Sequence, residues 1–176
     1  MKRLIAGLLL VLSLTGCGGM KIDDFAGKQP ALKIEEYFAG QTRAWGIFED
    51  RFGTLRREFT VDITGAWKGD EFELDERFVY ADGETDRRVW RLKRTGPDSW
   101  EGRTEDADGP AMGRVAGNAF NFGYYLNMKV GDGRWRVRFD DWMFLQPDGV
   151  LINRAYVYRW GIQIGSVTIV FRRPAG

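Results

Sequence analysis

The side chains of this chain that could do chemistry are few, and most of them are carboxylates and guanidinia. Among 176 residues there is no histidine and a single cysteine. That removes Ser-His-Asp and Cys-His catalysis, His-ligated zinc and haem, cysteine-held clusters and any internal disulfide. Adjacent acids occur as Glu35-Glu36, Glu49-Asp50 and Asp140-Asp141. Neighbours on a strand point to opposite faces, so such a dipeptide is not an acid–base dyad by itself. No Gly-x-Ser-x-Gly elbow, phosphate-binding loop, EF-hand or dinucleotide fingerprint is present. The expectation is therefore a protein that is not an enzyme and has no catalytic residues, cofactor or metal. The informative residues are instead charges that interrupt apolar stripes: Arg57, Glu76, Arg88, Asp141 and Arg154. An unpaired charge in a dry core costs several kcal/mol, so each must find a partner, water or a ligand.

These residues must sit on strands. Beyond residue 35 the chain shows alternating apolar and polar residues, punctuated by Gly, Asp and Pro, and almost no helical period. The turn signals bound roughly eight to ten strands joined by short loops, with no βαβ spacing. The pattern predicts an all-β fold, an antiparallel up-and-down barrel, with one short helix near residues 31–37. A barrel of about eight strands can hold one small ligand.

Register sharpens the reading. In the hairpin around Asp82-Gly83, pairing Glu73 with Lys93 and Asp75 with Arg91 puts opposite charges together on one face. It also pairs Leu74 with Leu92 and Glu76 with Trp90, so Glu76 and Arg88 point to the apolar side. In the hairpin around Pro147-Asp148-Gly149, an even loop pairs Leu145 with Val150 and Asp141 with Arg154. Both charges, and Tyr156 two residues on, then face inward. Leu55, Arg57, Phe59, Val61 and Ile63 form a third inward stripe. Trp142 and Phe144 fall on the outer face behind Arg134, Arg136 and Arg138, as a contact spot for a partner or a membrane.

Inward arginines exceed inward acids in this register. That favours a ligand with a carboxylate or phosphate head group, bound by Arg57, Glu76, Arg88, Asp141, Arg154 and Tyr156. Arg154-x-Tyr156 is similar to the arrangement that holds the carboxylate in intracellular fatty-acid-binding barrels. The alternative is structural: Asp141–Arg154 and Glu76–Arg88 as ion pairs of a packed core, with Arg57 snorkelling at the rim.

The N-terminus carries a different signal. Lys2 and Arg3 precede an uncharged apolar run over residues 4–14, too short for a membrane span of roughly 20 residues and suited to a secretory leader. It ends in Leu14-Thr15-Gly16-Cys17, which resembles the bacterial lipobox. That resemblance implies a signal peptide over residues 1–16, acylation of Cys17, and a tether over 17–31 before a barrel domain over 32–176. Two or three acyl chains anchor stably where one is marginal. Gly18 after the cysteine, in place of Asp, implies the outer membrane, facing the periplasm. With 26 Lys and Arg against 25 Asp and Glu, the chain lacks the basic excess of a general nucleic-acid binder.

The segments FAGQTRAWGIFEDRFG, FVYADGETDRRVW, RFDDWMF and RAYVYRWG resemble an uncharacterised family of bacterial lipoproteins, a domain-of-unknown-function family. The resemblance covers nearly the whole chain after the leader. It implies a lipoprotein signal and a calycin-type, lipocalin-like β body, and it carries no catalytic residues. The combined expectation is a membrane-anchored periplasmic lipoprotein binding a fatty acid, phospholipid or similar amphiphile in its barrel. The alternative is a non-catalytic envelope interaction protein with a packed core.

Overall fold

The alternation of apolar and polar residues is realised as ten strands. The structure is a computed structural model that describes residues 19–174; Cys17 and the leader over 1–16 lie outside the described residues. The strands are β1 (Gly40–Asp50), β2 (Leu55–Lys68), β3 (Glu71–Tyr80), β4 (Thr85–Arg94) and β5 (Ser99–Arg103), then β6 (Ala111–Ala116), β7 (Ala119–Val130), β8 (Gly133–Leu145), β9 (Leu151–Arg159) and β10 (Ile162–Arg172). Each pairs antiparallel with its sequence neighbours, and β1 pairs with β10 to close the barrel. Closure removes the exposed edges that an open sheet would have to protect. The expected all-β up-and-down barrel is observed.

Two registers differ from the sequence expectation, and one kind of turn explains both. Tyr80 N–H donates to Glu84 O and Gly83 N–H to Tyr80 O. Gln146 N–H donates likewise to Val150 O, and Gly149 N–H to Gln146 O. In each case three residues turn the chain, and the third is a glycine at positive φ, 86° for Gly83 and 81° for Gly149. This is the three-residue hairpin loop closed by a left-handed glycine. In the first hairpin it slips the pairing by two residues, so faces are kept and Glu76 lies opposite Arg88, not Trp90. In the second it slips by one, so every side chain of β9 changes face. Asp141 lies opposite Ala155, and Arg154 opposite Trp142 on the outer wall.

The N-terminal segment closes one end of the barrel. Helix α1 (Ile34–Tyr37) lies in the predicted region and buries Ile34 and Tyr37, with Leu32 and Phe38 beside them. The Tyr37 hydroxyl shares its one hydrogen between Phe171 O at 3.1 Å and Gly149 O at 3.2 Å, while Leu32 N–H donates to Gly117 O at 2.8 Å. Gly65 permits this seal, because a Cβ there would stand 2.1 Å from Phe38 O. Earlier in the chain, Phe25 packs on Trp142 and Phe144 at ring-centroid distances of 6.0 and 5.3 Å. The outer-face spot expected to meet a partner is thus covered by this chain's own tether. The opposite end, formed by the β1–β2, β3–β4, β7–β8 and β9–β10 turns, is open.

Candidate functional site: the barrel lumen

Inward-facing side chains leave the barrel interior partly empty. A cavity of about 550 Å³ runs from Ile34 and Phe38 at the sealed floor to Arg56, Arg57 and Lys129 at the mouth. Its wall is mostly aromatic and aliphatic. Small residues and large ones share the work. Gly102 and Gly113 sit under the rings of Phe122 and Phe120, where added Cβ atoms would approach to 2.6 and 2.5 Å. Those rings can therefore lie flat against β5 and β6 and leave the centre free.

One polar cluster interrupts this apolar wall. Glu76 on β3 and Arg88 on β4 are direct cross-strand partners, yet Arg88 turns its guanidinium to Asp106, in the loop after β5. Arg88 Nη2 donates to Asp106 Oδ2 at 2.8 Å, and Nε donates to the same carboxylate at 3.2 and 3.3 Å. Thr104 Oγ1 also donates to Asp106, at 3.3 Å. Across the lumen, the Tyr124 hydroxyl on β7 donates to Asp141 Oδ2 on β8 at 2.9 Å. Tyr124 is held by Trp90 and Phe139, at 5.1 and 5.2 Å between ring centroids. Asp141 is 7 % exposed, and its Oδ1 is buried with no hydrogen-bond partner among the described residues. Glu76 faces the same cavity and makes no hydrogen bond or ion pair among the described residues.

The electrostatics follow from burial. Desolvation pushes the Glu76 carboxyl up to about 7, against the pull of Arg88 and with the push of Asp141 and Asp106. Desolvation likewise raises Asp141 to about 7, with the Tyr124 hydrogen bond and Arg88 opposing it and Asp140 adding to it. Burial disfavours the charge of Arg88, but its bonds to Asp106 and the field of Glu76 more than offset this and hold it firmly protonated. Tyr124 is raised well above its ordinary value, first by burial and then by Asp141.

The sequence-derived site residues divide into three groups. Glu76, Arg88 and Asp141 all line the lumen, the inward placement expected of them. Arg57 lies on the inner face at the mouth, where Nη2 donates to Asp82 at 3.0 Å and Glu84 at 2.7 Å, and its guanidinium stacks 3.7 Å from the Tyr80 ring. Arg154 and Tyr156 do not belong to the lumen. The one-residue shift of β9 turns them outward, where Arg154 Nη1 donates to Thr168 Oγ1 at 2.7 Å and faces Glu49 at 3.7 Å. Asn153, Ala155 and Val157 line the cavity in their place. Sequence reading missed Tyr124 and Asp106. The alternation Phe120, Phe122, Tyr124, Leu126 on β7 marks Tyr124 as inward; nothing local marks Asp106, which meets Arg88 from the loop after β5.

No group of three or more potential metal ligands occurs among the described residues. What the cluster can do is accept hydrogen bonds. Once deprotonated, Glu76 and the free oxygen of Asp141 are unclaimed acceptors beside an arginine whose charge Asp106 compensates.

Comparison with known proteins agrees with this architecture. No curated protein matches the chain in sequence. In structure it resembles the S-type phycobiliprotein lyase CPES of Guillardia theta, with a TM-score of 0.58 at 8% identity over 81% of this chain and 92% of the lyase. That likeness is one of fold, a lipocalin-like calycin barrel. Residues 11–173 match the family described as "Protein of unknown function (DUF3833)", and the chain belongs to that family.

Proposed function

We propose that the protein is a lipid-anchored envelope lipoprotein whose barrel takes up the apolar chain of a membrane-derived amphiphile. One observation carries this reading: a cavity of about 550 Å³, apolar, sealed at the floor and open at the mouth. That volume lies inside the range of roughly 300–1,000 Å³ typical of small-molecule sites, and a few convergent polar groups on an apolar wall are their usual marking. The lipobox-like Leu14-Thr15-Gly16-Cys17 supports attachment to the bacterial outer membrane on its periplasmic side, which would keep the mouth close to a supply of amphiphiles.

The test is native mass spectrometry of the protein purified gently from bacterial membranes. The expected result is an adduct of lipid mass that is released on denaturation. A clean unliganded mass, with no uptake of added octanoate, octanol, octylamine or phospholipid, overturns the proposal.

A further inference from the structure

The polar centre of the lumen has the wrong charge for an anionic head group. One guanidinium, Arg88, stands there with two lumen-lining carboxyl groups, Glu76 and Asp141, and its charge is already matched by Asp106 in the loop behind it. Asp106 already occupies the Nε and Nη2 edge of Arg88. The other cation expected to meet a head group inside, Arg154, is on the outer wall. Arg57 is held at the rim by Asp82 and Glu84. A carboxylate or phosphate entering this space would therefore meet two unclaimed acceptors and no unclaimed cation at the polar centre, and like charges brought together in an apolar site repel strongly.

The acceptors, by contrast, are waiting for a donor. Asp141 Oδ1 is buried with no hydrogen-bond partner among the described residues, which native structures rarely leave unexplained. Glu76 has no hydrogen-bond or ion-pair partner among the described residues, although Arg88 stands directly across the strand pair. The Tyr124 hydroxyl cannot supply the missing donor, since its one hydrogen is given to Asp141 Oδ2.

We propose that the lumen receives the protonated amino group of an amine-bearing amphiphile, its N–H groups donating to Glu76 and Asp141 Oδ1 while its alkyl or acyl chain packs along Trp90, Phe122, Phe139 and Val157. An ammonium group carries three donors and one positive charge, which fits two carboxyl groups better than any neutral head. This assignment deepens the lumen-binding proposal and rests on it. The chemistry assigned is a primary amine on an apolar chain.

The experiment uses the full chain in phosphatidylcholine nanodiscs, with empty discs as the reference. Octylamine, octanol and octanoate share one chain and differ only in the head. Binding is read at pH 8 from tryptophan emission, since Trp90 and Trp135 line the cavity. The expected order is octylamine first, at least tenfold tighter than octanoate. Glu76→Gln with Asp141→Asn should shrink that advantage to threefold or less, with circular dichroism checking that the barrel is folded. A second variant, Asp106→Asn, releases Arg88 and should raise octanoate affinity severalfold, so the proposal stays testable if the double variant fails to fold. Octanoate binding as tightly as octylamine to the unaltered protein overturns the amine assignment and leaves the lumen reading intact. Uptake of none of the three overturns both.

Discussion

The lumen and the groove on the outer wall are nearly equal in size, about 550 and 580 Å³, and differ in everything that makes a site. The outer groove lies over Trp45, Ile47, Val79 and Val170, residues between 36% and 48% exposed. Its one carboxylate, Glu58, reaches water. The lumen holds two carboxyl groups that burial drives toward the neutral form, one with a free buried oxygen. Exposed apolar side chains are common on any protein surface; buried unsatisfied polarity is not. Volume therefore does not separate the two hollows, and uncompensated burial does.

The sharpest way to break this contrast is to truncate one aromatic residue in each hollow. Phe38 is 3 % exposed and forms part of the lumen floor, edge-on to Phe171 at 5.5 Å. Phe38→Ala should cost about 3–5 kcal/mol in urea-induced unfolding, the transfer and cavity terms acting together. Trp45 is 46 % exposed, and Trp45→Ala should cost under about 1 kcal/mol. Equal losses would mean that the outer groove is as much a part of the packed structure as the floor.

The second test exploits the buried acids. The folded protein holds a proton on Glu76 up to about pH 7, whereas an ordinary glutamate releases it near 4.5. Between those values the folded state binds more protons than the unfolded one, so stability falls as pH rises and levels off above about 7. Asp141, raised from 3.8 to about 7, acts in the same direction. Asp141 itself helps to raise Glu76, so the destabilisation at pH 8 relative to pH 4 belongs to the pair and is on the order of a few kcal/mol. Asp75 works oppositely: hydrogen bonds from Arg87 hold it below its ordinary value, and that stability is lost only as pH falls through its lowered pKa. Urea midpoints should thus be higher at pH 5 than at pH 8. Glu76→Gln or Asp141→Asn should flatten the slope and stabilise the barrel at pH 8. A midpoint independent of pH from 5 to 8 would show that the lumen solvates both carboxylates.

These outcomes bear on what the sequence can and cannot disclose. Period-two alternation was enough for the strands, the barrel class and the inward placement of Glu76, Arg88 and Asp141. Arg154 and Tyr156 went to the wrong face because strand parity depends on a single residue of loop length. The Pro147-Asp148-Gly149 turn has three residues, not two, and its closure depends on Gly149 reaching a φ of 81°. The same geometry at Ala81-Asp82-Gly83 did no harm, since a slip of two preserves faces. The partnership of Arg88 with Asp106 was out of reach for another reason. Asp106 lies 18 residues on, past β5, and comes opposite Arg88 where the β4–β5 register, Arg91 against Arg103, is carried three residues further; that register depends on the exact length of the turn between the two strands.

The smallest expected effect concerns the arginine that changed sides. Arg154 rests on the outer wall with a side chain 41 % exposed, touching Thr168 and, more loosely, Glu49. Exposed pairs of this kind are worth about 0–1 kcal/mol, so Arg154→Ala should lower stability by no more than that. Octylamine, octanol and octanoate should bind the variant as they bind the unaltered protein, because no atom of Arg154 lines the cavity. Arg88→Ala is the informative counterpart: it takes away the cation at the polar centre of the lumen, while Asp106, its side chain 32 % exposed, can turn to water. If Arg154→Ala weakened ligand uptake and Arg88→Ala did not, β9 would have to be paired one residue away from the register seen here, with Arg154 and Tyr156 restored to the interior.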